Sequence, residues 1–406
     1  MRSVNPKILV WARETAGLTR EEAAKKLGVK SARGRSAIER MEDLECAKEK
    51  PTWAMISKMS KAYHLPLVVF YLSDIPPPGD CGEDFRALPK KPDRKAQGLI
   101  DAAVRDMHAR QSILRTSLED IDEAEPLPFI GSVKAFRSGH RKDIERVADS
   151  IRKTLAFDQK RFRSKANAKE GFAYLRERAE EAGIFVILIA NLGSWHTALD
   201  VELFRGFVIA DSVAPLVVIN ANDSPSAQSF TLVHELAHLW IGSHGISAGA
   251  MEGNEGIERF CNEVASEFLV SQPEIDELEL TINTPFDEVK EKIDKFATER
   301  KISRTMVALR LYRSDSIKVQ VYRKLAGEFK RMFLEGKKRE RSGERKEGGP
   351  SYYVLTKQRL GSNLIDLVDR MMGEESLSVN KAAIVLGVKA LKVRRLIRES
   401  QARSIS

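Results

Sequence analysis

The sequence predicts an α+β protein: an all-α N-terminal domain, a central domain that sets a small sheet against helices, and a small helical C-terminal domain. Three observations carry this. Apolar residues recur at three- and four-residue spacing over long stretches, as in AQGLIDAAVRDMHARQSILRTSLEDI at 96–121, which is the pattern of one helix face. Three short runs rich in β-branched and aromatic residues, IFVILIAN (184–191), FRGFVIAD (204–211) and PLVVIN (215–220), are bounded by Gly, Asn, Asp or Pro and predict strands. Two stretches of proline, glycine and charge, at 76–95 and 336–350, break the chain as linkers.

At 406 residues the chain exceeds one ordinary domain and predicts two to four. A hydrophobic share of 42% supports real cores, while 31% charge excludes a membrane-embedded protein. No apolar run approaches the roughly 20 residues that span a bilayer, and MRSVNPKILVWARETAG at the start lacks the apolar core of a secretory signal. Cys46, Cys81 and Cys261 stand far apart, the usage of a reducing compartment, so a cytoplasmic location is expected. The formal charge of +9 favours a polyanionic partner.

Residues 1–75 predict short helices ending in the apolar run LPLVVFYL. Within them LTREEAAKKLGVK (18–30) has the form of the first helix of a helix-turn-helix. Thr19 and Glu22 make a capping box, Ala23, Ala24 and Leu27 form a close-packed inner face, and Gly28 makes the turn. The block resembles Xre/Cro-type DNA-binding domains, which implies a DNA partner. Lys30, Arg33 and Arg35 are then placed to meet phosphate, with Arg40 further along the next helix. KSARGRSA (30–37) is longer than the usual tight turn, which leaves open a helix pair that binds only protein.

Residues 96–335 are expected to form one region, a helical lead-in followed by the sheet and its helices. Helices are predicted at about 226–242 and 254–270. The first contains TLVHELAHLW (231–240), with His234 and His238 four residues apart and Glu235 after the first. On a helix, positions i and i+4 share a face, so both imidazoles can address one ion. Zinc accepts two imidazoles and a carboxylate and keeps a fourth position for water. Glu235 can then act as the base that takes a proton from that water. An H-E-x-x-H pattern arises by chance roughly once in a hundred such sequences. Leu232, Val233, Leu236, Ala237, Leu239 and Trp240 cover nearly every side of this helix and predict burial. A buried helix carrying an ionised glutamate needs a partner for the charge.

A third ligand is expected on the second helix, NEGIERFCNEVASEFLV (254–270). Glu258, Asn262, Ala265 and Leu269 fall on a single stripe, which favours Glu258 as ligand and Asn262 as a residue that steadies one. Glu255, Glu263 and the soft donor Cys261 remain rivals. His196 and His244 lie in Gly/Ser-rich loops and receive no role.

The blocks DFRALP, FRGFVIAD, PLVVINAND, SFTLVHELAHLW and IERFCNEVASEFLV, in that order, resemble the ImmA/IrrE-type metallopeptidases, closely over 204–270 and loosely over 200–340. The resemblance implies a compact zinc-peptidase domain of the gluzincin kind. It implies His234, His238 and Glu258 as ligands, Glu235 as general base, and transcriptional repressors of mobile-element or stress genes as substrates. Leu269-Val270-Ser271-Gln272-Pro273 stands where many relatives end this helix in Leu-Met-Pro. FRGFVIAD is expected as an edge strand beside the active helix, open to pairing with an extended peptide.

The run 336–350 is expected as a disordered charged linker, and 351–406 as a small helical domain. There LSVNKAAIVLGVK (377–389) repeats LTREEAAKKLGVK in Leu, Ala-Ala and Leu-Gly-Val-Lys, with Ser378 answering Thr19. The basic residues Lys389, Lys392, Arg394, Arg395 and Arg398 come next, and a second helix-turn-helix is read here. Together these features predict a cytoplasmic, DNA-associated zinc endopeptidase that cleaves a repressor. The competing prediction is a transcription regulator or toxin–antitoxin-like interaction protein whose peptidase fold is a sensor or scaffold.

Overall fold

The computed structural model describes residues 4–32, 34–72, 74–75, 94–192, 197–202, 204–242, 251–342 and 351–401, with side chains omitted at 251–255 and 337–342. The chain divides into two compact units: residues 1–81, 88–108 and 191–204 in one, and 82–87, 109–190 and 205–406 in the other.

The first unit opens with α1 (Pro6–Thr15), α2 (Arg20–Leu27), α3 (Ala37–Glu45) and α4 (Trp53–Tyr63). Short polar caps start these helices. Thr19 and Glu22 form the expected reciprocal capping box on α2, and Ser36 and Glu39 form another on α3. Leu9, Ala12, Ala23, Ala24, Leu27, Met41, Leu44, Ile56, Met59 and Tyr63 bury together as its core. The apolar run after α4 folds into a 3-10 turn, Leu67–Tyr71, with Phe70 fully buried. Arg13 and Arg20 clamp the buried Glu45 carboxylate at 2.5 and 2.8 Å, so that charge enters the core fully paired. α5 (Arg94–Asp120) belongs to this unit up to His108.

The second unit holds α6 (Arg141–Thr154), α7 (Gln159–Arg163) and α8 (Ala168–Glu181), followed by β1 (Phe185–Ile189), β2 (Gly206–Ile209) and β3 (Leu216–Asn220). The sheet order is β1-β3-β2. β3 runs parallel to β1, with Val186 opposite Val217, and antiparallel to β2, with Phe207 opposite Val218. β3 is buried along its whole length, as a continuous apolar run requires. FRGFVIAD therefore supplies the antiparallel edge of the described sheet.

After the sheet come α9 (Pro225–Ile241), α10 (Met251–Leu269), α11 (Gln272–Asp276), α12 (Phe286–Arg300), α13 (Arg304–Arg313) and α14 (Val319–Ser342). α14 runs seven residues into the stretch expected as a disordered linker; Lys, Arg and Glu are good helix formers, and the rest of that stretch lies outside the described residues. The tail forms α15 (Tyr352–Leu360), α16 (Ser362–Gly373), α17 (Val379–Val385) and α18 (Ala390–Gln401). Among the described residues no helix is long and apolar enough to cross a membrane.

Candidate metal centre

The centre rests on α9. Ser224 caps its start, accepting from Ala227 N–H at 3.3 Å; Pro225 occupies the first turn, and Gly242 closes the end in the left-handed region at φ 67°. Every residue from Thr231 to Trp240 is buried, as the apolar surround of the motif requires. A strap from the lead-in satisfies the carbonyls at its C-terminal end. Gly131 N–H donates to Leu239 O at 2.8 Å and Val133 N–H to Trp240 O at 2.9 Å, while Phe129 stacks on the Trp240 ring at 4.5 Å. The Trp240 indole N–H finds Ser150 Oγ at 3.0 Å.

The edge strand β2 lies directly against this helix because Gly206 has no side chain. A Cβ there would stand 2.6 Å from Thr231 Cγ2 and 3.1 Å from Glu235 Oε1. A lone glycine inside a strand pattern signals such a close approach, and FRGFVIAD carries that signal.

His234, Glu235 and His238 are each 1% exposed and Glu258 is 9% exposed. The two imidazole Nε2 atoms are 3.1 Å apart. Glu258 reaches across from α10, with Oε2 at 3.3 Å from His234 Nε2 and Oε1 at 3.1 Å from His238 Nε2. Ligands about 2.0–2.1 Å from a tetrahedral zinc lie roughly 3.3–3.4 Å from one another. The two imidazole nitrogens stand close to that spacing, and each faces one oxygen of the Glu258 carboxylate, so the three residues are gathered closely enough to hold one ion. His234, His238 and Glu258 are the one group of this kind among the described residues. The donor set is also of the right chemistry: two nitrogens and one hard oxygen.

The expected rivals part company here. Glu263 turns away from the centre, accepting from Arg259 Nε at 3.0 Å and from Gly139 N–H at 2.8 Å. The side chain of Glu255, with His196 and His244, lies outside what is described. Cys261 is fully buried beside His238, and burial pushes its thiol up. Against the pull of burial, Cys261, Glu258 and Glu235 hold His238 well above the ordinary imidazole value. A cation at this point is what the surrounding carboxylates favour.

Asn262 lies one turn of α10 beyond Glu258. Among the described residues its side chain takes a place in a cavity wall and makes no hydrogen bond to a ligand. That cavity, about 230 Å³, is also lined by Arg205, Phe230, Ser266, Met306 and Arg310. It opens one turn before His234 on α9 and one turn after Glu258 on α10.

Of the four residues expected to meet DNA, Arg35 is ion-paired with Asp43. Arg40 donates to Lys30 O at 3.0 Å and pairs with Glu49 at 3.3 Å. Lys30 is exposed, and Arg33 lies outside the described residues. The turn between the helices closes as a small hairpin, with Ala32 and Arg35 exchanging backbone hydrogen bonds at 3.0 and 3.1 Å. The length of this turn shows in the sequence; the acidic partners that occupy its arginines do not.

Compared with known protein families, residues 179–312 match the Peptidase_M78 family model, described as an IrrE N-terminal-like domain. The matched segment takes in the whole sheet, α9 and α10, about a third of the chain, and it contains all four residues of the centre. No curated protein and no solved structure matches the chain.

Proposed function

We propose that this protein, whose residues 179–312 match the family model of an IrrE N-terminal-like M78 peptidase domain, is a zinc-dependent endopeptidase whose substrate is a transcriptional repressor, and that it works in association with DNA. The observation that carries the peptidase reading is the convergence of His234 Nε2, His238 Nε2 and the Glu258 carboxylate within 3.1–3.3 Å, with the buried Glu235 carboxylate next to them. His234, His238 and Glu258 would hold a zinc ion, which would supply Lewis acidity toward the scissile carbonyl and the attacking water.

The protein's own residues do the rest. Glu235 accepts a proton from water as its oxygen adds to the carbonyl carbon, then returns it to the amine nitrogen as the C–N bond breaks. Burial keeps the Glu235 carboxylate out of bulk water, whose high dielectric would weaken its interaction with the reacting atoms. The substrate is placed beside β2, whose Gly206 lies against Glu235. The cavity beside Asn262 then receives a substrate side chain next to the scissile bond.

The test is incubation of the zinc-loaded chain with the repressor encoded beside its own gene, followed by mass spectrometry of the products. Wild type is expected to give one cut. Glu235→Gln is expected to lower the rate by about 10²–10⁴-fold while the fold is retained, the range that one general base contributes. Cleavage by Glu235→Gln at near wild-type rate would contradict the mechanism.

A further inference from the structure

The segments Leu18–Lys30 and Leu377–Lys389 repeat each other in geometry as well as in sequence. Each opens on a hydroxyl cap: Thr19 Oγ1 accepts from Glu22 N–H at 3.2 Å and Ser378 Oγ from Lys381 N–H at 3.3 Å. Each buries an alanine pair, Ala23 with Ala24 and Ala382 with Ala383. Each ends on a left-handed glycine, φ 69° at Gly28 and 61° at Gly387. Val29 N–H reaches back to Ala24 O at 2.9 Å and Val388 N–H to Ala383 O at 3.0 Å, the same helix-ending motif twice.

Beyond the glycines the two segments diverge. Residues 29–36 separate Gly28 from α3, whereas only Val388 and Lys389 separate Gly387 from α18. α17 and α18 therefore have the tight turn that a DNA-reading helix pair uses, and α2 and α3 do not.

Charge separates the two even more. α3 carries Glu39, Glu42, Asp43 and Glu45 against Arg40 alone, and Arg35 and Arg40 are already held by Asp43 and Glu49. α18 carries Lys392, Arg394, Arg395 and Arg398 against Glu399 alone, which pairs with Arg395 at 3.0 Å. Its inner face, Val393, Leu396, Ile397 and Ser400, is buried. The outer face presents Leu391, Arg394, Arg395 and Arg398 at i, i+3, i+4 and i+7, all exposed. Leu391 is 96% exposed, an apolar side chain in water at the first turn of a basic helix. α15 widens the surface, with Tyr352 under Lys392 Nζ at 3.7 Å and Tyr353 under the Arg395 guanidinium at 4.8 Å.

We infer that α18 is the helix that enters the major groove of duplex DNA, and that the DNA association proposed above resides in the C-terminal helices and not on α3. A helix about 10–12 Å across fits a groove about 12 Å wide. Arginines on one face reach phosphates on the groove walls and guanine edges on its floor, and an exposed leucine at the helix start has a partner in a thymine methyl group. Phosphates repel the carboxylates of α3. This placement rests on the proposed DNA association and is independent of the peptidase chemistry.

The test titrates the full-length protein with a mixed-sequence 30-base-pair duplex by fluorescence anisotropy over a range of salt. Wild type is expected to bind at low salt. Arg394→Ala/Arg395→Ala/Arg398→Ala should weaken binding at least tenfold and flatten the log affinity against log salt slope by up to about 2.7, at about 0.9 per phosphate. The matching triple lysine variant should retain most of the binding, which separates lost charge from lost fold, and Lys30→Ala/Arg40→Ala should bind as wild type. Absence of duplex binding by wild type would overturn the inference. So would unchanged binding by the triple alanine variant, a loss from Lys30→Ala/Arg40→Ala as large as that from α18, or tighter binding to a single-stranded RNA of the same length. Peptide cleavage measured on the same samples is expected to be equal in wild type and the α18 variants, so a failure of the catalytic reading is seen separately.

Discussion

Among single residues, Gly206 shows best how the centre is built. Glu235 can approach β2 only because position 206 lacks a side chain: an added methyl would meet Thr231 Cγ2 at 2.6 Å and Glu235 Oε1 at 3.1 Å. Gly206→Ala is therefore expected to push β2 off α9, destabilising by about 1–3 kcal/mol, as overpacking does. Cleavage should fall more than stability does, because the strand and the base move apart together. Thermal melts and cleavage rates measured side by side check this; an alanine variant that melts and cuts like wild type would contradict the close approach. His234, Glu235 and His238 were legible in the sequence because their relation is local, one turn of one helix. The helical stripe favoured Glu258 over Glu263, but spacing could not show what occupies Glu263. The partner that removes Glu263, the backbone N–H of Gly139, is 124 residues away along the chain, and only packing brings it there. Arg35 and Arg40 were legible as basic residues. The carboxylates that occupy them, Asp43 and Glu49, lie eight and nine residues further on, a separation that no helical spacing rule pairs.

At the level of elements, the short α11 illustrates how a local cap is tied into the domain. Glu274 accepts from Ser271 N–H and Ser271 Oγ, each at 3.0 Å, and pairs with Arg163 at the end of α7 at 2.6 Å. Although burial opposes it, Arg163 and Ser271 hold this carboxyl down to about 2. Its folded pKa lies below the unfolded value of 4.5, so its contribution is complete above about pH 4.5 and is lost as pH falls through about 2. Allowing for solvent screening, that contribution is on the order of 1–2 kcal/mol. Urea unfolding as a function of pH should show wild type more stable than Glu274→Gln above pH 4.5, with the gap closing toward pH 2; a gap independent of pH would contradict the ion pair. The strands and the two helices of the centre fall within a few residues of their sequence positions, since buried strands read as unbroken apolar runs. The strap over the end of α9 did not show in the sequence. Its backbone hydrogen bonds from Gly131 and Val133 depend on no residue pattern.

For the molecule as a whole, the C-terminal helices pack against the sheet, and the buried Arg176 bridges the two. Arg176 on α8 donates to Gln358 O at 2.6 Å, to Arg359 O at 3.2 Å and to Val186 O, while its Nε meets Glu180 at 2.6 Å. Arg176→Ala leaves the Glu180 carboxylate buried without its partner and is expected to destabilise by about 3–5 kcal/mol. Hydrogen exchange should rise in α15 before it rises in α9; equal protection in α15 of variant and wild type would contradict the attachment. This junction was invisible to periodicity, whereas the repeated Leu-Gly-Val-Lys segments were plain. The central claim is that His234, His238 and Glu258 together hold one metal ion that Glu235 does not ligate. Native mass spectrometry of the intact chain with zinc tests it most directly. One zinc per chain is expected in wild type and in Glu235→Gln, with loss in His234→Ala and His238→Ala and a large reduction in Glu258→Ala. Full zinc retention by the histidine variants, or loss of zinc in Glu235→Gln, would contradict it.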